Sequence, residues 1–361
     1  MTLGALRARW IAAVACIAVW SGCGGGTTAI SPGVNQVMPA ATGPQRSGQA
    51  PKIVDFKTVD PRLVSPFELA FTKRGELWFT PWSPHLGFMS SIGEFEARNL
   101  RIKTGPSGPA RAAEIALGPD GHLWFTDYHG ALGTVTKSRR VKQYDIFDAL
   151  GGDSAGLTSG PNGHLWVLLS GGYSVLTEVD TTPKVVNTYQ LNGAYQETIA
   201  LGVNGTLWIG GSAQYQVVTR FTPDGHIKDF PVQAADGIWG IALGPDGNMW
   251  FTGAGAFSAQ SYISKITPNG QITEYPIKSQ GDGVAAGPDG NMWFTEPWEG
   301  KVGKVTMQGV VTEYNIPKAI KNSAPRYQIT GIALGTDGNM WFTEPMRSKI
   351  GEVVLAKTDR R

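Results

Sequence analysis

One motif recurs along this chain, and it constrains the fold more than any other feature. The segment IALGPDGNMWFT at 241–252 returns as AAGPDGNMWFT at 285–295, IALGTDGNMWFT at 332–343 and IALGPDGHLWFT at 115–126. Looser copies are LAFTKRGELWFT at 69–80, LTSGPNGHLWV at 157–167 and IALGVNGTLWI at 199–209. The anchor tryptophans are Trp78, Trp124, Trp166, Trp208, Trp250, Trp293 and Trp341, spaced by 46, 42, 42, 42, 43 and 48 residues. A repeat of this length with hairpin punctuation is the signature of a propeller blade.

Each repeat divides into four short strands. Strand A is the I-A-L run, an Asp-Gly or Asn-Gly turn follows, and strand B carries the tryptophan. Those dipeptides supply the positive φ that tight hairpins need. Strand C is seen as KVGKV at 301–305 and KIGEV at 349–353, and strand D as ITEYPI at 272–277. The pattern predicts an all-β, seven-bladed propeller of four-stranded blades over 52–355. After KIGEV only Val354 to Arg361 remain, too few for a turn and a strand D. Ile53-Val54-Asp55-Phe56 copies the pattern of Ile272-Thr273-Glu274-Tyr275, so residues 52–57 are expected to complete blade 7 and close the ring.

The flanking segments differ in character. Residues 1–23 read as an export signal: Arg7 and Arg9 precede an apolar run from Trp10 to Trp20 that is too short to span a bilayer. Ser21-Gly22-Cys23 followed by three glycines matches a bacterial lipoprotein cleavage site, with Cys23 as the lipidated residue. The competing reading is an ordinary secretory signal with an incidental cysteine. Residues 24–51, rich in Gly, Ser, Thr, Pro, Ala and Gln, read as a flexible linker, and 356–361 as a tail. The only other cysteine, Cys16, lies in the signal, so an exported domain would have to be held by its core alone. Without Arg7 and Arg9 the chain carries 29 basic residues (31 minus 2) against 29 acidic ones. That balance argues against a nucleic-acid partner. The expectation is a monomer in the bacterial cell envelope, touching membrane only through its lipid anchor.

Antiparallel connectivity puts the A–B and C–D turns on one face and the more variable B–C and D–A connections on the other. Function is expected on the variable face. Asp120, Asp246, Asp289 and Asp337, with His122, His164 and His226, fall in the tight turns and are assigned to turn formation. At the variable face, strand B ends in Pro81, Asp127, Leu169, Gly211, Gly253, Glu296 and Glu344, and strand A begins at Phe67, Ala113, Ala155, Glu197, Trp239, Asp282 and Thr330. Trp82, Tyr128 and Trp298 follow strand B, and long loops add His85, Lys318, Lys321 and Arg326. The candidate ligand mouth is therefore Trp82, Asp127, Tyr128, Glu197, Trp239, Asp282, Glu296, Trp298 and Thr330. Acids beside aromatics suit Mg or Ca, held by Glu344 and Glu296, or a polar ring-bearing ligand. The alternative is that these glutamates pair with cations such as Lys301 and Lys349.

The sequence W-F-T-E, then K-I-G-x-V, then I-T-E-Y-P-I resembles the streptogramin B lyase (virginiamycin B lyase) family over about residues 52–355. The resemblance implies a seven-bladed propeller and a metal-assisted C–O lyase that linearises a cyclic depsipeptide by elimination. It also implies a glutamate for magnesium at Glu344, and a catalytic histidine at the start of strand A in the last blade. Thr330 stands in that slot here, with Gln328 two residues before it. Elimination needs a base tuned near the working pH. His129, just beyond strand B of blade 2, is the candidate replacement base, and Glu344 is the other catalytic candidate. The leading expectation is a binding propeller for a small molecule or cell-envelope ligand. The alternatives are an active lyase, a lactonase-like hydrolase similar to the six-bladed gluconolactonase propellers, or a structural interaction module.

Overall fold

In the computed structural model, the described residues are 36–37, 50–57, 60, 62–63, 65–82, 85–89, 95–99, 112–127, 130–146, 153–171, 173–193, 195–211, 217–232, 237–254, 260–317 and 329–355. Cys23, Tyr128, His129, Lys318, Lys321, Arg326 and Gln328 lie outside them, as does the side chain of His85. Among the described residues, no helix is long and apolar enough to cross a membrane.

Seven antiparallel sheets follow one another as blades. Blade 1 is Pro66–Phe71, Leu77–Pro81, His85–Met89 and Phe95–Asn99, and blade 2 is Ala112–Leu117, Leu123–Asp127, Ala131–Val135 and Val141–Asp145. Blade 3 is Asp153–Ser159, Leu165–Ser170, Val175–Val179 and Val185–Gln190. Blade 4 is Gln196–Leu201, Leu207–Gly211, Val217–Phe221 and Ile227–Pro231. Blade 5 is Gly237–Leu243, Met249–Ala254, Ser261–Ile266 and Ile272–Ile277, and blade 6 is Val284–Ala286, Met292–Glu296, Lys301–Val305 and Val311–Asn315. Blade 7 takes Ile332–Leu334, Met340–Glu344 and Lys349–Val354 from the C-terminal end. Its outer strand is Lys52–Lys57, paired antiparallel with Lys349–Val354 from Lys52↔Val354 to Lys57↔Lys349. The first strands of all neighbouring blades pack side by side, blade 7 against blade 1 included, so the ring is closed. Residues 36–37 run parallel to the outer strand of blade 5.

The repeat motif has a packing reason at nearly every position. The tryptophan of each blade is buried against the next blade: Trp78 sits with Ile115, Leu123 and Phe125, and Trp124 with Leu157, Leu165 and Val167. In blades 2 to 6 it also stacks on an aromatic of its own strand D, as in Trp250 on Tyr275 at 5.7 Å and Trp293 on Tyr314 at 5.8 Å. In blade 7 the partner is Phe56 at 5.3 Å, so the N-terminal strand supplies the missing aromatic. The glycine six residues before the tryptophan makes room for the indole. A Cβ on Gly118 would lie 2.3 Å from Trp124 Cδ1, and one on Gly160 would lie 2.0 Å from Trp166 Cδ1. The turn aspartates serve as turn formers and as indole acceptors: Trp124, Trp250, Trp293 and Trp341 donate Nε1–H to Asp120, Asp246, Asp289 and Asp337 at 3.0 to 3.3 Å.

The threonine of W-F-T joins the blades. Thr80 Oγ1 donates to Ala113 O at 3.2 Å and accepts from Glu68 N at 3.1 Å. Thr295 Oγ1 donates to Thr330 O at 2.7 Å and accepts from Gly283 N at 2.9 Å. Thr252 reaches Asp282 O, and Thr343 reaches Phe67 O, in the same way. Each latch ties strand B to the first residues of the next blade's strand A. Blades 3 and 4 carry Leu168 and Gly210 instead, with Ile199 and Ile238 packed against these positions. There, apolar contact replaces the hydrogen bond.

Candidate functional site

Blade 6 brings three of the sequence-predicted mouth residues together. The chain entering its inner strand, residues 279–282, lies against the end of strand B and the turn that follows. Glu296 Oε1 accepts from Ser279 N at 3.2 Å and from Ser279 Oγ at 3.4 Å. Trp298 Nε1 donates to Gln280 Oε1 at 3.3 Å. Asp282 donates its backbone N–H to Thr295 O at 2.9 Å. Asp282 and Trp298 are partly exposed, whereas Glu296 is fully buried. Burial first, and Glu313 second, push the Glu296 carboxyl up to about 7. Its Oε2 has no hydrogen-bond partner among the described residues. Lys301 pairs with Glu313 at 3.2 Å and sits 3.7 Å from Glu299.

Blade 7 repeats this plan with a guanidinium added. Glu344 is 1% exposed, and its Oε2 accepts from Arg347 Nη1 at 2.5 Å. Arg347 Nη2 reaches Asp55 Oδ2 at 2.9 Å, Lys349 Nζ reaches the same oxygen at 2.8 Å, and Arg347 Nη1 also donates to Pro317 O at 3.2 Å. The counter-ion of Glu344 is therefore Arg347, while Lys349 serves Asp55. Burial, and then the neighbouring Asp55, raise the Glu344 carboxyl to about 7, with Arg347 pulling the other way. Glu344 Oε1 has no hydrogen-bond partner among the described residues.

The remaining candidates are dispersed. Asp127 is fully buried, and its Oδ1 accepts from Ala131 N at 2.7 Å, which shapes its own B–C turn. Glu197 is buried at the start of blade 4, and Trp239 is partly exposed at the start of blade 5. Trp82 is partly exposed, with its ring 5.8 Å from that of Phe67. Thr330 is 2% exposed and committed to the closing seam: its Oγ1 donates to Phe67 O at 3.0 Å and lies 2.9 Å from Thr343 Oγ1.

A divalent cation does not fit this donor set. One Glu344 oxygen is held by a guanidinium, whose charge would stand beside the ion. No group of three or more His, Cys, Asp or Glu side chains among the described residues is arranged to hold a metal.

Sequence reasoning missed several residues that shape this face. Ser279, Gln280 and Arg347 lie in connections that no repeat pattern marks. Asp55 did carry a signal, since it occupies the strand D position of Glu274 and Glu313. Tyr173 and Tyr195, 79% and 47% exposed, project from the B–C loop of blade 3 and from the connection into blade 4.

Comparison with known proteins identifies the family. The family model described as "Virginiamycin B lyase family" matches residues 139–358. The chain belongs to the virginiamycin B lyase family. Virginiamycin B lyase from Staphylococcus aureus is 25% identical in a match that covers 84% of this chain and 99% of that one, with a TM-score of 0.72. A catalytically inactive histidine-to-alanine variant of the S. aureus lyase, solved with quinupristin, matches at 26% identity over 84% of this chain and 99% of that chain, with a TM-score of 0.73. The extracellular domain of a putative hybrid two-component system from B. thetaiotaomicron shares the fold at 15% identity and a TM-score of 0.65, covering 84% of this chain and 41% of that one. No curated protein matches the chain in sequence. The matched residues run from the C–D turn of blade 2 past the last strand of blade 7.

Proposed function

We infer that this member of the virginiamycin B lyase family is an exported binding propeller that does not perform the family's elimination. The observation that carries this reading is the state of Thr330. The family resemblance puts the catalytic histidine at this position. Here the side chain is a buried hydroxyl bonded to Phe67 O and facing Thr343, so it has neither the basicity nor the access to remove a substrate proton. Glu344, the position that the resemblance gives to magnesium, is neutralised by Arg347. Together they leave a channel face furnished for recognition: Asp282 and Trp298 in blade 6, Trp239 in blade 5 and Trp82 in blade 1.

The ligand class that suits this face is a polar molecule bearing a ring, with the partly exposed indoles as stacking surfaces and Asp282 as the polar anchor. Export through residues 1–23 and anchoring at Cys23 belong to the same proposal. They would present the face to molecules of the cell envelope. The test uses quinupristin, the compound solved with the S. aureus variant. Purified protein with magnesium is expected to leave the ring closed in a mass-spectrometric assay while quenching indole fluorescence on binding. Ring opening abolished by Glu344→Ala would overturn the proposal in favour of an active lyase.

A further inference from the structure

The repeat departs from its own rule at two places that meet in space. Blades 2 to 7 place Asp or Asn at the second-last residue of the A–B turn: Asp120, Asn162, Asn204, Asp246, Asp289 and Asp337. Blade 1 places Arg74 there, preceded by Lys73. The second departure is the C–D turn of blade 2, Thr136-Lys137-Ser138-Arg139-Arg140. Its counterparts in blades 3, 4, 5 and 6 are DTTPK, TPDGH, TPNGQ and TMQGV, with Lys184 of blade 3 as the single Lys or Arg among them.

These two turns line one cavity of about 170 Å³ between blades 1 and 2, on the face opposite the candidate mouth. Its lining includes Lys73, Arg74, Lys137 and His122, with Trp78, Leu123 and Val135 as an apolar floor. The floor residues are at most 4% exposed, while the three cations are exposed at the rim. Two acids, Glu76 and Asp120, also line the cavity, and both are engaged. Glu76 Oε1 accepts from Arg139 Nη2 at 2.6 Å, and Asp120 accepts from His122 Nδ1 at 2.8 Å and from Trp124 Nε1 at 3.0 Å. Lys73, Arg74 and Lys137 make no ion pair among the described residues.

We propose that this cavity is a second binding site, selective for a phosphate group carried on a small apolar body. Three cationic side chains line one concave rim, and a guanidinium together with two ammonium groups suits a phosphate with several acceptor oxygens. The apolar floor takes the part of the ligand behind the charge. The phosphate has two sources, a free phosphomonoester or the headgroup of an anionic lipid, and both present the same group to the rim.

Phenyl phosphate titrated by calorimetry tests the free form, with phenol as the uncharged control. Co-sedimentation with vesicles of phosphatidylglycerol, against phosphatidylcholine, tests the lipid form. Arg74→Asp restores the turn residue of the sibling blades, so its fold is expected to survive; unchanged melting checks this. Lys137→Ala provides a second variant. The expected result is saturable binding of phenyl phosphate, or of phosphatidylglycerol vesicles, that weakens about tenfold in Arg74→Asp and falls as salt is raised. Binding of phenol equal to phenyl phosphate, binding indifferent to both variants, or no binding in either arm would overturn the proposal.

Discussion

The closing strand is the part of the structure on which the whole ring depends, and Phe56→Ala tests it at one side chain. Phe56 is half-buried, stacks on Trp341 at 5.3 Å with the rings 24° apart, and joins a cluster with Leu63, Leu69, Leu77 and Ile350. Truncating a fully buried phenylalanine costs about 3–5 kcal/mol. Half-burial brings the expected loss to about 2 kcal/mol, stacking included. For a domain of this size that lowers the melting temperature by about 4 °C. Removing residues 52–57 altogether deletes six paired positions and the Asp55 partner of Arg347 and Lys349, and it bares Lys349–Val354 as an open edge. Its expected effect is several-fold larger, with aggregation on heating. The assay is thermal and urea unfolding followed by indole fluorescence, with Tyr144→Ala as comparator, since Tyr144 stacks on Trp124 in a blade that closes nothing. A Phe56→Ala protein as stable as the parent, together with a deletion that melts unchanged, would refute the closure argument.

Other outcomes follow from the same structure. Glu296→Gln should stabilise the protein at pH 8 by up to about 3 kcal/mol and have little effect near pH 4.5. The folded carboxyl titrates near 7 and the unfolded one near 4.5, so the folded state holds its proton longer and loses stability as pH rises between those values; urea midpoints across pH 4.5–8 measure this. Thr343→Val removes the donor to Phe67 O and the acceptor of Gly331 N–H, and should cost about 1–3 kcal/mol in urea unfolding. Arg347→Met leaves Glu344 buried without its cation and should raise the Glu344 pKa further, detectable as increased proton uptake on folding near pH 7.

The repeat made most of the fold readable, because each of its residues answers a short-range demand. Gly118 clears the indole, Asp120 accepts its N–H and closes the turn, and Phe125 packs between blades. The closing strand was readable for the same reason: Phe56 takes the place of the strand D tyrosines. The threonine latches carried a sequence signal, W-F-T, but their role became visible only when the neighbouring blade's carbonyl was in place. The site was less legible. Asp127, Glu296 and Glu344 occupy one repeat position, yet a turn amide, a serine and an arginine respectively hold them. Those partners come from connections whose course depends on tertiary packing, and no periodicity marks Ser279 or Arg347. Lys73 and Lys137 were invisible as a pair because 64 residues separate them in sequence, the difference of their numbers, and only the ring brings them to one cavity.

The central claim is that this propeller binds without breaking its ligand, and single-turnover incubation with quinupristin measures it most directly. Protein in excess, magnesium present, and intact mass read over hours separate the closed from the linear depsipeptide. The account predicts indole quenching that saturates with quinupristin, weakens in Trp298→Ala, and is accompanied by no linear product. Linear product that forms in proportion to protein and disappears in Glu344→Ala would contradict it.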